Sequence, residues 1–168
     1  MGFTSVPSEI RLKEWISRYS DDVLRTCFVL LSDQSLAEDA MQDTFTKAWK
    51  NMSQFEGREN ASPKTWLMRI AVNTCKDTLR SSWMRHIDRR QEIEALPLSI
   101  ASCPEEKLAL TQAIMALAPK HREIVLLYYY QDMSLRACAQ VLGISAPTAT
   151  RRLQQAQKKL RIQLEERG

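Results

Sequence analysis

Apolar residues recur at three- and four-residue intervals along most of the chain, and no stretch alternates apolar and polar positions convincingly; this periodicity predicts an all-helical fold. A first helix is expected over Ser8 to Leu31, with Ile10, Trp15, Ile16, Tyr19, Val23, Leu24, Cys27 and Leu30/Leu31 as its apolar positions. A second starts at Ser35, where Ser35-Leu36-Ala37-Glu38 fits a capping box, Ser at the cap and Glu three residues on. Its expected buried stripe is Leu36, Ala40, Met41, Phe45, Ala48, Trp49 and Met52, which turns Glu38, Asp39, Gln42 and Asp43 outward. The segment "SQFEGRENASP" reads as a polar loop, closed by Ser62 as a cap and Pro63 at the first helical position. From Pro63 to about Met84 the pattern predicts an inner face of Leu67, Ile70, Ala71 and Thr74. Trp66, Arg69, Asn73, Lys76, Asp77 and Arg80 form the outer one.

The period breaks from about Ile87 to Glu105, where "ALPLSIASCPEE" carries two prolines and no regular spacing. The chain is therefore divided into an N-terminal helical domain over 1–86, a linker over 87–104 and a second small helical domain over 105–168. In the second, helices are expected from Pro104 or Glu105 to Leu117 and from Lys120 to Tyr130. Ser134 then caps a short helix ending at Leu142, Gly143 supplies the turn, and Ser145 caps a long final helix with Pro147 in its first turn. Ala139 is small where two helices must approach closely. Val141, Leu142, Ile144, Leu153, Ala156 and Leu160 are the expected core. A short helix, a Gly-containing turn and a basic helix make a helix-turn-helix, the alternative being a plain helical hairpin with a solvated basic face.

Charge sharpens this division. The 168 residues have a net charge of +4, but residues 1–62 hold 7 Lys/Arg against 10 Asp/Glu, whereas residues 107–168 hold 10 against 4. An acidic N-terminal face and a basic C-terminal one suggest a protein partner on one side and nucleic acid on the other. Residues 64–90 add a basic stretch, with 7 cations against 2 acids, and residues 145–161 carry Arg151, Arg152, Lys158, Lys159 and Arg161 with no acid. Cys27, Cys75, Cys103 and Cys138 form no C-x-x-C pair, and His86 and His121 are far apart in sequence, so neither a zinc site nor another metal or cofactor site is expected. There is no phosphate loop and no nucleophile-base arrangement, so an enzyme is not expected. No run is long enough to span a membrane, the N-terminus lacks an apolar signal core, and Val6 stands where N-myristoylation wants Ser or Thr; a cytoplasmic protein without membrane insertion is expected.

Three stretches, "AEDAMQDTFTKAW", "TWLMRIAVNTCKDTLR" and "LAPKHREIVLLYYYQDMSLRACAQVLGISAPTATRRLQQAQKKLR", in this order, resemble the extracytoplasmic-function class of bacterial sigma factors. The resemblance covers most of the chain. It implies an alternative sigma factor that binds core RNA polymerase and directs promoter-specific initiation. The helix from Ser35 would dock through Glu38, Asp39, Gln42 and Asp43 on the basic clamp helices of the largest polymerase subunit. The helix from Pro63 resembles the one that reads and melts the minus-ten element: Phe55, Trp66 and Asn73 would build or border a pocket for a flipped base, and Arg69, Lys76 and Arg80, beside Asp77, would hold phosphates. The loop "QFEGRENASPKTW" matches the specificity loop of the family.

The final helix resembles the minus-thirty-five reader in the major groove, with Pro147, Thr148, Thr150, Arg151, Gln154 and Gln155 near base edges and Arg152 and Lys158 on phosphates. The chain departs from the family at Pro147-Thr148-Ala149, where Gly-Thr-Val is frequent, at Gln155 and Gln157, where arginine is, and at Ala137, where a capping glutamate is usual. These departures bear on the promoter sequence read. The resemblance also implies an anti-sigma partner and no small-molecule substrate. The rival from another class is a helix-turn-helix regulator that binds duplex operators without forming a holoenzyme.

Overall fold

The computed structural model describes residues 7–56, 62–84 and 105–167, with side chains over most of that span. The proposed linker and the middle of the "QFEGRENASP" loop lie outside the described residues. Every regular element within them is helical. α1 runs Ser8–Leu31, α2 Gln34–Lys50, α3 Met52–Glu56 and α4 Pro63–Met84; α5 runs Glu105–Met115, α6 Pro119–Val125, α7 Leu135–Leu142 and α8 Ala146–Arg167. A π-helical turn, Leu126–Tyr130, extends α6.

The N-terminal half is a bundle of α1, α2 and α4. α1 and α2 are joined by only Ser32 and Asp33, a turn tight enough to need a left-handed residue, and Ser32 takes it with φ 56°. Asp33 is then extended, and its carboxylate accepts from the Leu36 N–H at 2.8 Å. The cap of α2 is therefore Asp33 and not Ser35, which lies inside the helix. The capping box does not form: Glu38 accepts instead from the Gln34 side-chain amide at 2.8 Å. The polar loop is also shorter than expected, because Met52–Glu56 forms one helical turn of its own after a break at Asn51. Burying Met52 and packing Phe55 on Trp15 hold that turn in place.

α4 is buried on more of its circumference than its pattern indicated. Leu67, Ala71 and Thr74 are inside as expected, but so are Met68, Val72 and Cys75. Trp66, expected on the outer face, is buried and packs edge-on to Trp15 with ring centres 5.9 Å apart; Phe55 lies 5.3 Å from it. Aromatic pairs of this kind contribute roughly 0.5–1.5 kcal/mol each beyond the area they bury. In α2 the correction runs the other way. Trp49, assigned to the buried stripe, is 43% exposed, and Ala37 and Thr44 take the inner positions.

The C-terminal half follows its sequence closely. Ser134 Oγ accepts from the Ala137 N–H at 3.1 Å, Gly143 turns the chain with φ 65°, and Ser145 Oγ accepts from the Thr148 N–H. Ala139, Val141, Leu142, Leu153, Ala156 and Leu160 are buried between α7 and α8, with Ile144 half-buried against them. The two halves do not stand apart. α7 packs on α4 and α6 on α1, and the buried apolar residues of both halves form one continuous core. The thiols Cys27, Cys75 and Cys138 are buried within it. A hydrogen bond from the Cys75 thiol to Cys27, together with burial, pushes the Cys75 thiol far above its ordinary value, so it stays protonated. Among the described residues no cluster of His, Cys, Asp or Glu could hold a metal, and no helix is long and apolar enough to cross a membrane.

Candidate functional site

Three surfaces carry the chemistry. The first is the outer face of α2. Glu38, Asp39, Gln42 and Asp43 are all exposed, while Ala37, Ala40, Thr44, Phe45 and Ala48 on the opposite side are buried. Thr44 can sit in that core because its hydroxyl donates to the Ala40 carbonyl at 2.7 Å. At about 100° per residue, Trp49 projects between the directions of Glu38 and Gln42. It lies roughly 9–16 Å beyond the carboxylates along the helix axis, and an exposed indole is a candidate contact in its own right, since tryptophan is enriched among residues that anchor protein contacts. Apolar periodicity alone assigned Trp49 to the core; only its exposure places it among the functional candidates.

The second surface is the outer stripe of α4. Arg69, Asn73, Asp77 and Arg80 are exposed and Lys76 is half-buried, all on one side. Asp77 pairs with Arg80 one turn on and lies 4.0 Å from Lys47 of α2, whose Nζ also donates to Thr74 at 3.0 Å. Asp77 thus sets the positions of two cations more directly than it presents an acceptor outward. Ser62 caps the helix through the Thr65 N–H at 3.4 Å. Phe55 borders this surface from α3, half-buried. Trp66 lies beneath it in the aromatic cluster, where it supports the stripe from inside rather than offering its own ring.

The third surface is α8. Pro147, Thr150, Arg151, Gln154, Gln155 and Lys158 are exposed, and Thr148 and Arg152 are half-buried. Pro147, Arg151, Gln154 and Lys158 fall within an arc of roughly 60° and define the outward line of the helix. Thr148 is engaged locally, accepting from Ser145 Oγ at 2.8 Å. Gln155 turns inward to α6, where its Oε1 lies 3.4 Å from Nε2 of His121. Arg152 is on that same flank, and its charge acts on both His121 and Glu123. The two adjacent arginines therefore occupy different environments, as their spacing requires.

His121 is a residue that sequence reading passed over. It is buried beneath α8, and its Nδ1 has no hydrogen-bond partner among the described residues. Burial lowers its pKa, the Gln155 contact opposes that, and Lys159, Lys120 and Arg152 lower it further. A histidine whose folded pKa is depressed stabilises the fold above its unfolded pKa, roughly 6.5, and loses that contribution as pH falls toward the folded value. The melting temperature of the chain is expected to fall between about pH 7 and 5.5. That dependence should weaken in His121→Phe; an unchanged pH profile in the variant would remove His121 as its source.

Comparison with known proteins agrees with this geometry. Sigma-70 region 2 matches residues 15–85, and Sigma-70, region 4, matches residues 107–160. The chain is 30% identical over 145 residues to the ECF RNA polymerase sigma factor SigL of Mycobacterium tuberculosis, covering 83% of this chain and 80% of that protein. It is 29% identical over 163 residues to the probable RNA polymerase sigma factor RfaY of Xanthomonas campestris pv. campestris, but spans only 40% of that longer protein. Among solved structures, the sigma factor RpoE in its complex with the anti-sigma factor NepR from Bartonella quintana has the same fold. Its TM-score is 0.76 at 22% identity, covering 91% of this chain and 96% of that one. With both regions matched in order, and a relative matched along most of its length, the chain belongs to the extracytoplasmic-function sigma factors, which direct promoter-specific transcription initiation.

Proposed function

We propose that residues 1–86 dock on core RNA polymerase and open the minus-ten element, and that residues 105–168 read the minus-thirty-five element. The observation that carries this is the exposed face of α2. Glu38, Asp39, Gln42 and Asp43 are exposed on a helix whose other side is buried in the core, and Trp49 is exposed about two to three turns further along it. That face suits the basic clamp helices of the largest polymerase subunit, because complementary charge speeds and orients encounter while a desolvated aromatic supplies affinity. Arg69, Lys76 and Arg80 neutralise the backbone of the melted strand, and Asn73 offers an amide to a base edge. The chain acts as an initiation factor in the compartment where polymerase works, and not as a catalyst. An anti-sigma factor is a proposed partner; the related RpoE was solved with one. The test is transcription from a matched promoter by purified core polymerase with and without this chain. Start-site-specific transcripts are expected only in its presence. A regulator that binds duplex DNA without polymerase would give operator footprints and no such transcripts.

On α8, Arg151 is exposed on the outward line, whereas Arg152 faces the flank shared with His121 and Glu123. A bidentate arginine-guanine contact is worth roughly 1–3 kcal/mol of discrimination, whereas a phosphate contact weakens all sequences alike. Arg151→Ala is expected to relax preference at one or two positions of the upstream element. Arg152→Ala should weaken binding to every sequence and lower the salt slope by about one unit. A promoter-library selection at two salt concentrations measures both. Equal shifts in preference for the two variants would contradict this placement of the helix in the groove.

A further inference from the structure

α2 carries a cation that docking through an acidic face does not use. Lys47 lies in the last turn of the helix. Its carbonyl accepts from the Asn51 N–H at 3.0 Å and from Asn51 Nδ2 at 2.9 Å, which fixes the backbone at that point. A lysine in a last turn gains from the helix dipole simply by pointing past the C-terminus into water. Lys47 instead reaches across to α4. Its Nζ donates at 3.0 Å to Oγ1 of Thr74, a residue 2% exposed, and lies 4.0 Å from Oδ2 of Asp77. The Thr74 hydroxyl in turn donates to the Ile70 carbonyl at 2.7 Å, so the oxygen that receives Lys47 is fixed. The ammonium is held at the seam between α2 and α4, yet its side chain stays 44% exposed.

Stability does not account for this arrangement, because an ion pair so exposed, at the limit of contact distance, adds little. Asp77 is also shared with Arg80, so one carboxylate serves two cations and positive charge remains. An ammonium has three N–H donors. In Lys47 one goes to Thr74 and a second faces Asp77; the third has no acceptor among the described residues. At about 100° per residue, Lys47 points roughly 110° away from the middle of the arc formed by Glu38, Asp39, Gln42 and Asp43. The helix can therefore offer its acids to a basic partner and this ammonium to an anion at the same time. That anion must run along α4, where Thr74 follows Asn73 and Asp77 lies one turn before Arg80.

We infer that Lys47 is a further contact for the minus-ten strand, a phosphate-binding ammonium supplied by the docking helix, and that Asp77 is a positioning residue that holds Lys47 and Arg80 toward that strand. The inference rests on the proposed reading of the minus-ten element by α4. A compact ammonium suits a phosphate as a point charge. The test titrates holoenzyme, assembled from the full chain and core polymerase, with a single-stranded oligonucleotide carrying the non-template minus-ten sequence, between about 0.1 and 0.5 M salt. One phosphate contact on a single strand contributes about 0.7 to the slope of log affinity against log salt. Lys47→Gln is expected to lower the slope by that amount and to weaken binding about fivefold at 0.1 M, the deficit narrowing about threefold by 0.5 M. Asp77→Ala removes a negative charge from a DNA-binding face, so charge alone predicts tighter binding and a steeper slope. Positioning predicts the reverse, weaker binding and a shallower slope, with a smaller effect once Lys47→Gln is present. Helicity and affinity for core polymerase without DNA are measured for each variant. An unchanged slope in Lys47→Gln, or a loss accounted for entirely by weaker core binding, overturns the contact. Tighter strand binding by Asp77→Ala overturns its positioning role. If wild-type holoenzyme does not prefer the minus-ten strand to a scrambled one, the proposed function fails and the Lys47 contact with it.

Discussion

Reversing Asp39 and Asp43 to lysine is expected to lower affinity for core RNA polymerase by about 30- to 100-fold at low salt. Each reversal replaces an attraction with a repulsion against a basic surface, and close like-charge contacts cost several kcal/mol where water is excluded and less at a rim, so roughly 2–3 kcal/mol for the pair is the expected loss. The deficit should shrink as salt rises, because the Debye length falls from about 10 Å at 0.1 M to about 3 Å at 1 M. The fold should be unaffected: both side chains are exposed, and both lie beyond the first turn of α2, where a new cation would oppose the helix dipole. Trp49→Ala, at the C-terminal end of the same helix, should lower affinity with little dependence on salt. Binding to core polymerase measured across a salt series for these variants separates the two contributions. Wild-type affinity for the charge-reversal variant at every salt concentration would exclude α2 as the docking surface.

Asn73→Ala is expected to reduce strand opening by about 5- to 160-fold, the range given by one base contact of roughly 1–3 kcal/mol, while leaving holoenzyme formation intact. Asn73 is exposed in the middle of α4, between Arg69 and Lys76. Alanine is a better helix former than asparagine at an exposed interior position, so the variant helix should be no less stable than the original. A loss of function cannot then be assigned to unfolding. Permanganate reactivity of thymines near the start site should fall, and a pre-melted template should restore transcription. An equal defect on pre-opened DNA would give Asn73 some role other than melting.

These residues were within reach of sequence reading because each depends on local periodicity. α1 and α4 begin and end where their apolar spacing and the Ser62-Pro63 signal place them. The helix-turn-helix follows from Ser134, Gly143 and Ser145, each acting on backbone groups within three or four residues. The acidic face of α2 follows from one apolar stripe opposite it. Errors arose where two helical positions had comparable claims on the core. Trp66 and Trp49 both occur at helical spacing with buried neighbours. Trp66 goes inside because Trp15 and Phe55, distant in sequence, offer edges for its ring, and Trp49 stays outside because Ala48 and Thr44 already occupy the contact with the rest of the bundle.

The sequence by itself determined the helical class, the division into an acidic half and a basic half, and the exposure of the three polar faces. All are consequences of composition and of a 3.6-residue period, which depend on no distant contact. Tertiary structure decided what pairwise geometry alone can decide. The connection of only two residues between α1 and α2 made Asp33 the cap in place of Ser35. Packing of α6 beneath α8 turned Gln155 toward His121 and left Arg151 and Gln154 outward. The docking of one half on the other, through Glu123, Arg122 and Gln131, was illegible in the chain. A charged or amide side chain in a helix looks solvated until the partner that buries it, some 50 to 100 positions away, is brought alongside.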